Sequence, residues 1–287
     1  MIVGGSKKQV IENIKTNIKN NELNKKVEVD DPNLSEEELD NLIDKFYKIR
    51  QNKVQFKVKS KLAKKMVNDL NNKLNANMEI IGIENIKDIN TGAIITSNHF
   101  NPLDSLPIRK MVKELFKKDL YTVTDAANLA LPGDLSFIVN YLDNIPLKRT
   151  PNFIIRNFMP NLKKVLDDKN YVLIYPEEEM WFNYRKPRPC KRGAYQFAAD
   201  ANVPIIPCFT QMVDLEKDDN EEFKEVKYIV HILKPIYPKE NITSRENSIE
   251  MAENDYKQKI EAYEKAYNKK LDYTFSYEDI AGYKKKD

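Results

Sequence analysis

The sequence predicts an α/β fold: a mixed, largely parallel sheet flanked by helices, with a helical element in front of it. Two observations carry this. From residue 78 onward, short apolar runs alternate with helical stretches, as strands and crossover helices do. Before that point the apolar residues recur only at helical spacing. The chain therefore divides into a helical, basic amphipathic element over 1–76, an α/β domain over 77–240, and a long helix with a basic tail over 241–287.

Taken in order, Val10, Ile11, Ile14 and Ile18 set a first helix within residues 6–21, and a polar, asparagine-rich and acidic link follows as far as Leu34. Ser35 with Glu38 reads as a capping box opening a second helix, whose Leu39, Leu42, Ile43 and Phe46 share a face. A third helix repeats Val54, Val58, Leu62, Met66, Leu70 and Leu74 every four residues, among Lys53, Lys57, Lys59, Lys61, Lys64, Lys65 and Lys73. Two compatible readings are open for this stripe. It lies in an anionic lipid interface with its lysines reaching the headgroups, or it packs on the main domain as half of a helical hairpin.

Strands are expected at 78–83, 93–96, 120–124, 144–147, 171–175, 203–209 and 226–233, and helices at 103–117, 135–141, 151–167 and 193–201. The final helix, about 245–271, carries Ile249, Tyr256, Ile260, Tyr263 and Tyr267 on one stripe before the lysines 284–286.

Composition narrows the function classes. A net charge of +3 is too small to imply nucleic acid, and seven glycines with no glycine-rich loop argue against a phosphate-loop nucleotide fold. Cys190 and Cys208 have no metal-ligand spacing, which reads as a reduced, cytoplasmic chain. The N-terminus lacks the apolar core of a signal peptide, and no run approaches the ~20 apolar residues of a membrane span. The expectation is a soluble protein or one lying peripherally on the inner face of the cell membrane.

The stretch Ile94–Asp104 concentrates the chemistry: a buried strand, a polar turn holding His99, and a helix with Asp104 at its start. Imidazole with a carboxylate on one ring nitrogen suits a general base. By itself the spacing also fits a turn histidine beside an aspartate that merely caps its helix. Three more strand ends carry unusual residues: Lys148-Arg149, then Tyr175-Pro176-Glu177-Glu178-Glu179 before the lone Trp181, then the proline-bracketed Val203-Pro204-Ile205-Ile206-Pro207. His231, in an expected edge strand with no nearby carboxylate, reads as structural.

These four segments, in this order, resemble the phospholipid/glycerol acyltransferase family, which includes 1-acylglycerol-3-phosphate acyltransferases. The family's blocks run Asn-His-x4-Asp, a segment ending in arginine, Phe/Tyr-Pro-Glu-Gly-Thr-Arg, and Val-Pro-Ile-x-Pro. Here they correspond to Asn98-His99 through Asp104, the segment ending at Arg149, Tyr175-Pro176-Glu177, and Val203 to Pro207. The third block departs from the pattern, with Glu178-Glu179-Met180 where glycine, threonine and arginine are usual.

The resemblance implies transfer of a fatty acyl group from acyl-CoA or an acyl carrier protein to a lysophospholipid or glycerol-phosphate hydroxyl. In it His99 is the general base, Asp104 orients it, Arg149 beside Lys148 holds phosphate, and Glu177 is the acceptor-site carboxylate. Asn98 shapes the turn. Lys186, or Lys191 with Arg192, replaces the missing third-block cation, unless these form only a solvated basic loop. Neither metal nor cofactor is implied, and neither cysteine has a base beside it. The altered block leaves a different lysolipid or amine acceptor open, and so does a non-catalytic lipid- or carrier-binding role.

Overall fold

Ala93–Thr96 (β2) lies at the centre of the sheet, and all four of its residues are buried. This computed structural model describes residues 7–29 and 34–285. The other strands are Glu79–Ile81 (β1), Leu120–Asp125 (β3), Asn144–Leu147 (β4), Tyr171–Ile174 (β5), Ile205–Asp218 (β6) and Lys224–Ile232 (β7). They form one seven-stranded sheet in the order β1-β7-β6-β2-β5-β3-β4. Every neighbouring pair is parallel except the β6–β7 hairpin. The sheet is thus mixed and largely parallel, as expected.

Side-chain alternation divides the core into two layers. Ile94, Val172, Ile174 and Ile205 face one side, with Ile43 and Phe46 of α2 (Glu36–Gln51), Leu162 and Leu166 of α7 (Met159–Asp167) and Tyr195 of α8 (Gly193–Ala201). Ala93, Ile95, Leu173 and Ile206 face the other, covered by Ile108, Met111 and Val112 of α4 (Ser105–Phe116). α5 (Gly133–Tyr141) and α6 (Pro151–Phe153) complete the crossovers. A π-helical turn, Ile154–Phe158, joins α6 to α7 just before Pro160, whose ring cannot donate to the preceding turn.

Four expectations change. β6 runs to Asp218 rather than ending at Phe209, because the acid-rich 214–225 stretch is a two-stranded ribbon, with Lys217 2.6 Å from Glu225 across it. His231 sits on an interior strand rather than an edge, because β1 pairs with β7 on the side away from β6, and its Nε2 meets Gln211 Oε1 at 2.9 Å. On α9 (Ser244–Tyr267) the buried face is Ser248, Met251, Ala252, Asp255, Lys259 and Tyr263, while Ile249 is 37% exposed. An (i, i+4) ion pair, Lys259 Nζ to Asp255 Oδ1 at 2.8 Å, is buried there under Thr96 and the Tyr195 hydroxyl. Charged residues on a helix read as outward-facing, and only a partner across the interface reveals otherwise.

The fourth change concerns α3 (Lys53–Leu74). Four residues advance a helix by about 400°, so a period-four stripe turns by about 40° per step and by about 200° over five steps. Its two ends face opposite ways. Val54, Val58 and Leu62 are 77, 66 and 52% exposed, whereas Leu70 and Leu74 pack near Leu106 and Leu142. The residues that α3 buries most fully are Ser60, Ala63, Val67 and Asn71.

α1 (Lys8–Lys19) places Val10, Ile11, Ile14 and Ile18 in one cluster with Trp181, Phe182, Phe223, Tyr277 and Ile280. Both ends of the described chain thus pack on the segment that follows β5, and the boundaries at 76 and 240 do not separate cores. The tail lysines are folded in too: Lys284 pairs with Asp218 at 2.7 Å and Lys285 lies over the Tyr277 ring. Lys286, the first residues 1–6 and the link residues 30–33 lie outside the described residues.

Candidate active site

Because β2, β3, β4 and β5 are parallel, their C-terminal ends share one edge of the sheet, where open α/β folds collect ligands. That edge brings together the turn after β2, Asp125 at the end of β3, Lys148 and Arg149 after β4, and Tyr175 to Glu177 after β5.

The turn is held from several sides. The Asn98 amide donates to the Thr210 carbonyl (3.1 Å) and accepts from the Thr210 N–H (2.8 Å), stapling the turn to β6. His99 Nδ1 lies 2.7 Å from Asp104 Oδ2. The same oxygen accepts the Phe100 and Asn101 N–H groups at 2.9 and 3.3 Å, and the Tyr175 hydroxyl donates to Oδ1 at 2.5 Å. Asp104 occupies the N-cap position of α4, yet its side chain makes no capping bond. The carboxylate turns back to the imidazole instead of serving its helix.

An ionised carboxylate only accepts, so Nδ1 carries the proton and Nε2 keeps its lone pair. The Tyr175 ring stacks on the imidazole, centroids 4.0 Å apart and 11° from parallel. Burial and the adjacent Asp104 charge hold the Tyr175 phenol well above its ordinary range, so it stays a donor. The arrangement can withdraw a proton at Nε2 and stabilise the imidazolium that results.

Glu177 differs from what the resemblance implied. It is 2% exposed, and both its oxygens are occupied by protein donors: the His99 N–H at 3.1 Å, the Arg188 N–H at 2.9 Å and the Arg188 guanidinium at 2.8 Å. It is a clamp on the turn, not an open acceptor carboxylate. Arg188, itself 1% exposed, lies over the Trp181 ring and also reaches the carbonyls of Leu23 and His99. The loop returns alongside the turn, with the Trp181 and Asn183 N–H groups donating to the His99 and Phe100 carbonyls.

The expected replacement cations do not converge here. Lys186 is fully buried against Asp279 (2.8 Å) and the Thr274 carbonyl (2.7 Å), pinning the C-terminal segment, because a buried ammonium needs a carboxylate beside it. Lys191 and Arg192 are exposed at the start of α8. Lys148 turns to α2, 2.7 Å from both Glu36 and Asp40. Arg149 stays on the edge, 55% exposed, 3.0 Å from Glu178 and 3.7 Å from Asp125, beside a recess of about 230 Å³. Burial pushes both cysteine thiols up to about 12, which makes them poor nucleophiles.

Sequence reasoning missed the parts played by Tyr175, Arg188 and Thr210. Tyr175 reads in sequence only as the first residue of the third block, with no part at the imidazole. Nothing in the Tyr184–Pro189 stretch separates Arg188 from its basic neighbours, because its partner Glu177 is met only after the loop folds back. Thr210 acts through its backbone, which leaves no side-chain signal.

Residues 77–211, from β1 into β6, match the model of the family described as Acyltransferase. A search of curated proteins found no match. Among solved structures, the chain is similar to the crystal structure of PlsC, the 1-acyl-sn-glycerophosphate (LPA) acyltransferase from Thermotoga maritima. Identity is 17% and the TM-score 0.49, over 80% of this chain and 89% of that one.

Proposed function

From the premise that this chain belongs, over residues 77–211, to the acyltransferase family, we propose that it acylates a hydroxyl of a glycerophosphate lipid. The donor is an acyl thioester, of coenzyme A or of an acyl carrier protein. One observation carries the reading: Asp104 starts a helix but gives its carboxylate to His99 at 2.7 Å.

His99 Nε2 takes the acceptor hydroxyl proton as that oxygen attacks the thioester carbonyl. Asp104 stabilises the imidazolium, and collapse of the tetrahedral intermediate expels a thiolate that recovers the proton. The products are ester and free thiol, with no covalent enzyme intermediate. Arg149 holds the acceptor phosphate through charge-assisted hydrogen bonds. The test is thiol release from a labelled donor, compared between the parent and His99→Ala. Release that requires both an acceptor and His99 supports the reading; release indifferent to His99 ends it.

The chain works peripherally on a membrane, on its cytoplasmic face. No helix among the described residues is long and apolar enough to cross one. Val54, Val58 and Leu62 are exposed between Lys53, Lys57, Lys61 and Lys65, an apolar strip edged by cations suited to anionic headgroups. Flotation with anionic vesicles should capture the protein at low salt and lose it in the Val54→Ser/Val58→Ser/Leu62→Ser variant. Equal capture of both would refute this mode of attachment.

A further inference from the structure

The third block's departure places a negative charge on the edge's own cation. We propose that Glu178 sets acceptor selectivity, against phosphomonoester lysolipids and in favour of lysolipids whose phosphodiester carries an ammonium group. This rests on the acyl-transfer reading with Arg149 as the phosphate anchor.

Glu178 stands where the family's pattern has glycine, and its backbone keeps the glycine-like conformation, at φ 64° with its N–H donating to the Tyr175 carbonyl. That conformation aims the side chain across the edge. Arg149 Nη1 donates to Glu178 Oε2 at 3.0 Å, and Arg149 Nε lies 3.7 Å from Asp125 Oδ2. One guanidinium therefore serves two carboxylates. In the recess alongside, Lys148 is already matched by Glu36 and Asp40.

With the two cations Lys148 and Arg149 against the four acids Glu36, Asp40, Asp125 and Glu178, the edge carries an excess of negative charge before any acceptor arrives. The Arg149–Glu178 pair is 55% and 39% exposed, so a ligand phosphate can displace it readily. What decides selectivity is the released carboxylate. Beside a phosphomonoester, which brings nearly two negative charges, Glu178 and Asp125 repel the ligand. Beside a phosphodiester with a terminal ammonium, the phosphate takes Arg149 and the ammonium takes the two carboxylates. The second acceptor replaces each broken contact with one of the same kind.

The experiment compares the parent, Glu178→Gln and Glu178→Gly with two acceptors in nonionic micelles, 1-acylglycerol 3-phosphate and its ethanolamine phosphodiester. Two quantities are read: kcat/KM for acylation, and calorimetric binding of each lysolipid without acyl donor. The parent should prefer the zwitterion, and Glu178→Gln should shift the preference about tenfold toward the phosphomonoester, through KM rather than kcat. Glu178→Gly should do the same.

A parent that prefers the phosphomonoester, or a Glu178→Gln variant whose preference moves less than twofold, overturns the proposal while leaving acyl transfer standing. A shift confined to Glu178→Gly assigns the effect to the backbone and also overturns it. Shifted binding with no turnover from any variant supports the role of Glu178 and refutes the acyl-transfer reading instead. Neither binding nor turnover refutes both.

Discussion

The two ends of the site are built on opposite terms. At the turn, Asp104 is 3% exposed and Glu177 2%, and every carboxylate oxygen of the two meets at least one protein donor. At the edge, Arg149 and Glu178 are largely solvated and hold each other through a single contact. A general base loses effectiveness when it is misplaced by a fraction of an ångström, so the turn is overdetermined. A headgroup contact has only to be favourable, and an exposed pair can be exchanged or mutated at little cost to the fold. Under the proposed function the difference separates reaction from recognition: the turn fixes what is done, and the edge can change what it is done to.

Removing the base breaks the comparison most completely. His99→Ala should lower acyl transfer by about 10²–10⁴-fold, read as thiol release at saturating acceptor. Asp104→Asn should lose as much, on the order of 10⁴-fold, because a carboxamide can present its N–H to Nδ1 and leave the proton on Nε2. Circular dichroism should remain that of the parent for His99→Ala, whose side chain is partly exposed. Turnover within tenfold of the parent in either variant would remove the pair from the chemistry.

The next effect is on stability. Arg188→Met leaves the Glu177 carboxylate buried without its cation and should cost about 3–5 kcal/mol. For a chain of this size that lowers the thermal midpoint by roughly 5–15 °C. Glu177→Gln combined with Arg188→Met should recover at least half of the loss, since no charge is then stranded. A single variant as stable as the parent would mean that the clamp does not hold the turn. Tyr175→Phe is smaller again. Losing the hydroxyl leaves Asp104 Oδ1 without a donor, worth about 1–3 kcal/mol and, where the transition state bears that cost in full, roughly 5–150-fold in kcat/KM, with the stacked ring retained.

How much of this was legible in sequence follows the same division. The sheet was readable because β2 and β5 are buried on both faces and appear as unbroken apolar runs, Ala93–Thr96 and Tyr171–Ile174. His99 and Asp104 were readable because four residues and one turn separate them, so their meeting is nearly local. Arg188 was not: it pairs with Glu177 eleven positions away only after the loop reverses beneath Trp181. Lys186 looked like a ligand because a cation's partner in another segment, here Asp279, has no sequence signature. The α3 stripe was half right. Its period of four was close enough to 3.6 to mark a helix and far enough from it to turn one end to solvent.

The smallest effect tests the edge against the turn directly. Arg149→Ala removes a guanidinium whose contacts are exposed and solvent-screened, so the thermal midpoint should move by no more than a degree or two, the equivalent of about 0–0.5 kcal/mol. Yet the same substitution deprives an acceptor phosphate of its charge-assisted partner, which should raise the acceptor KM by roughly tenfold and leave kcat and the donor KM near the parent's. The pairing of the two readouts carries the point. A residue that held the fold would move both midpoint and kinetics, as Arg188 should, and a bystander would move neither. A kcat that fell with an unchanged acceptor KM would place Arg149 with the turn rather than the edge, and the separation between reaction and recognition would have to be redrawn with Glu178 on the catalytic side.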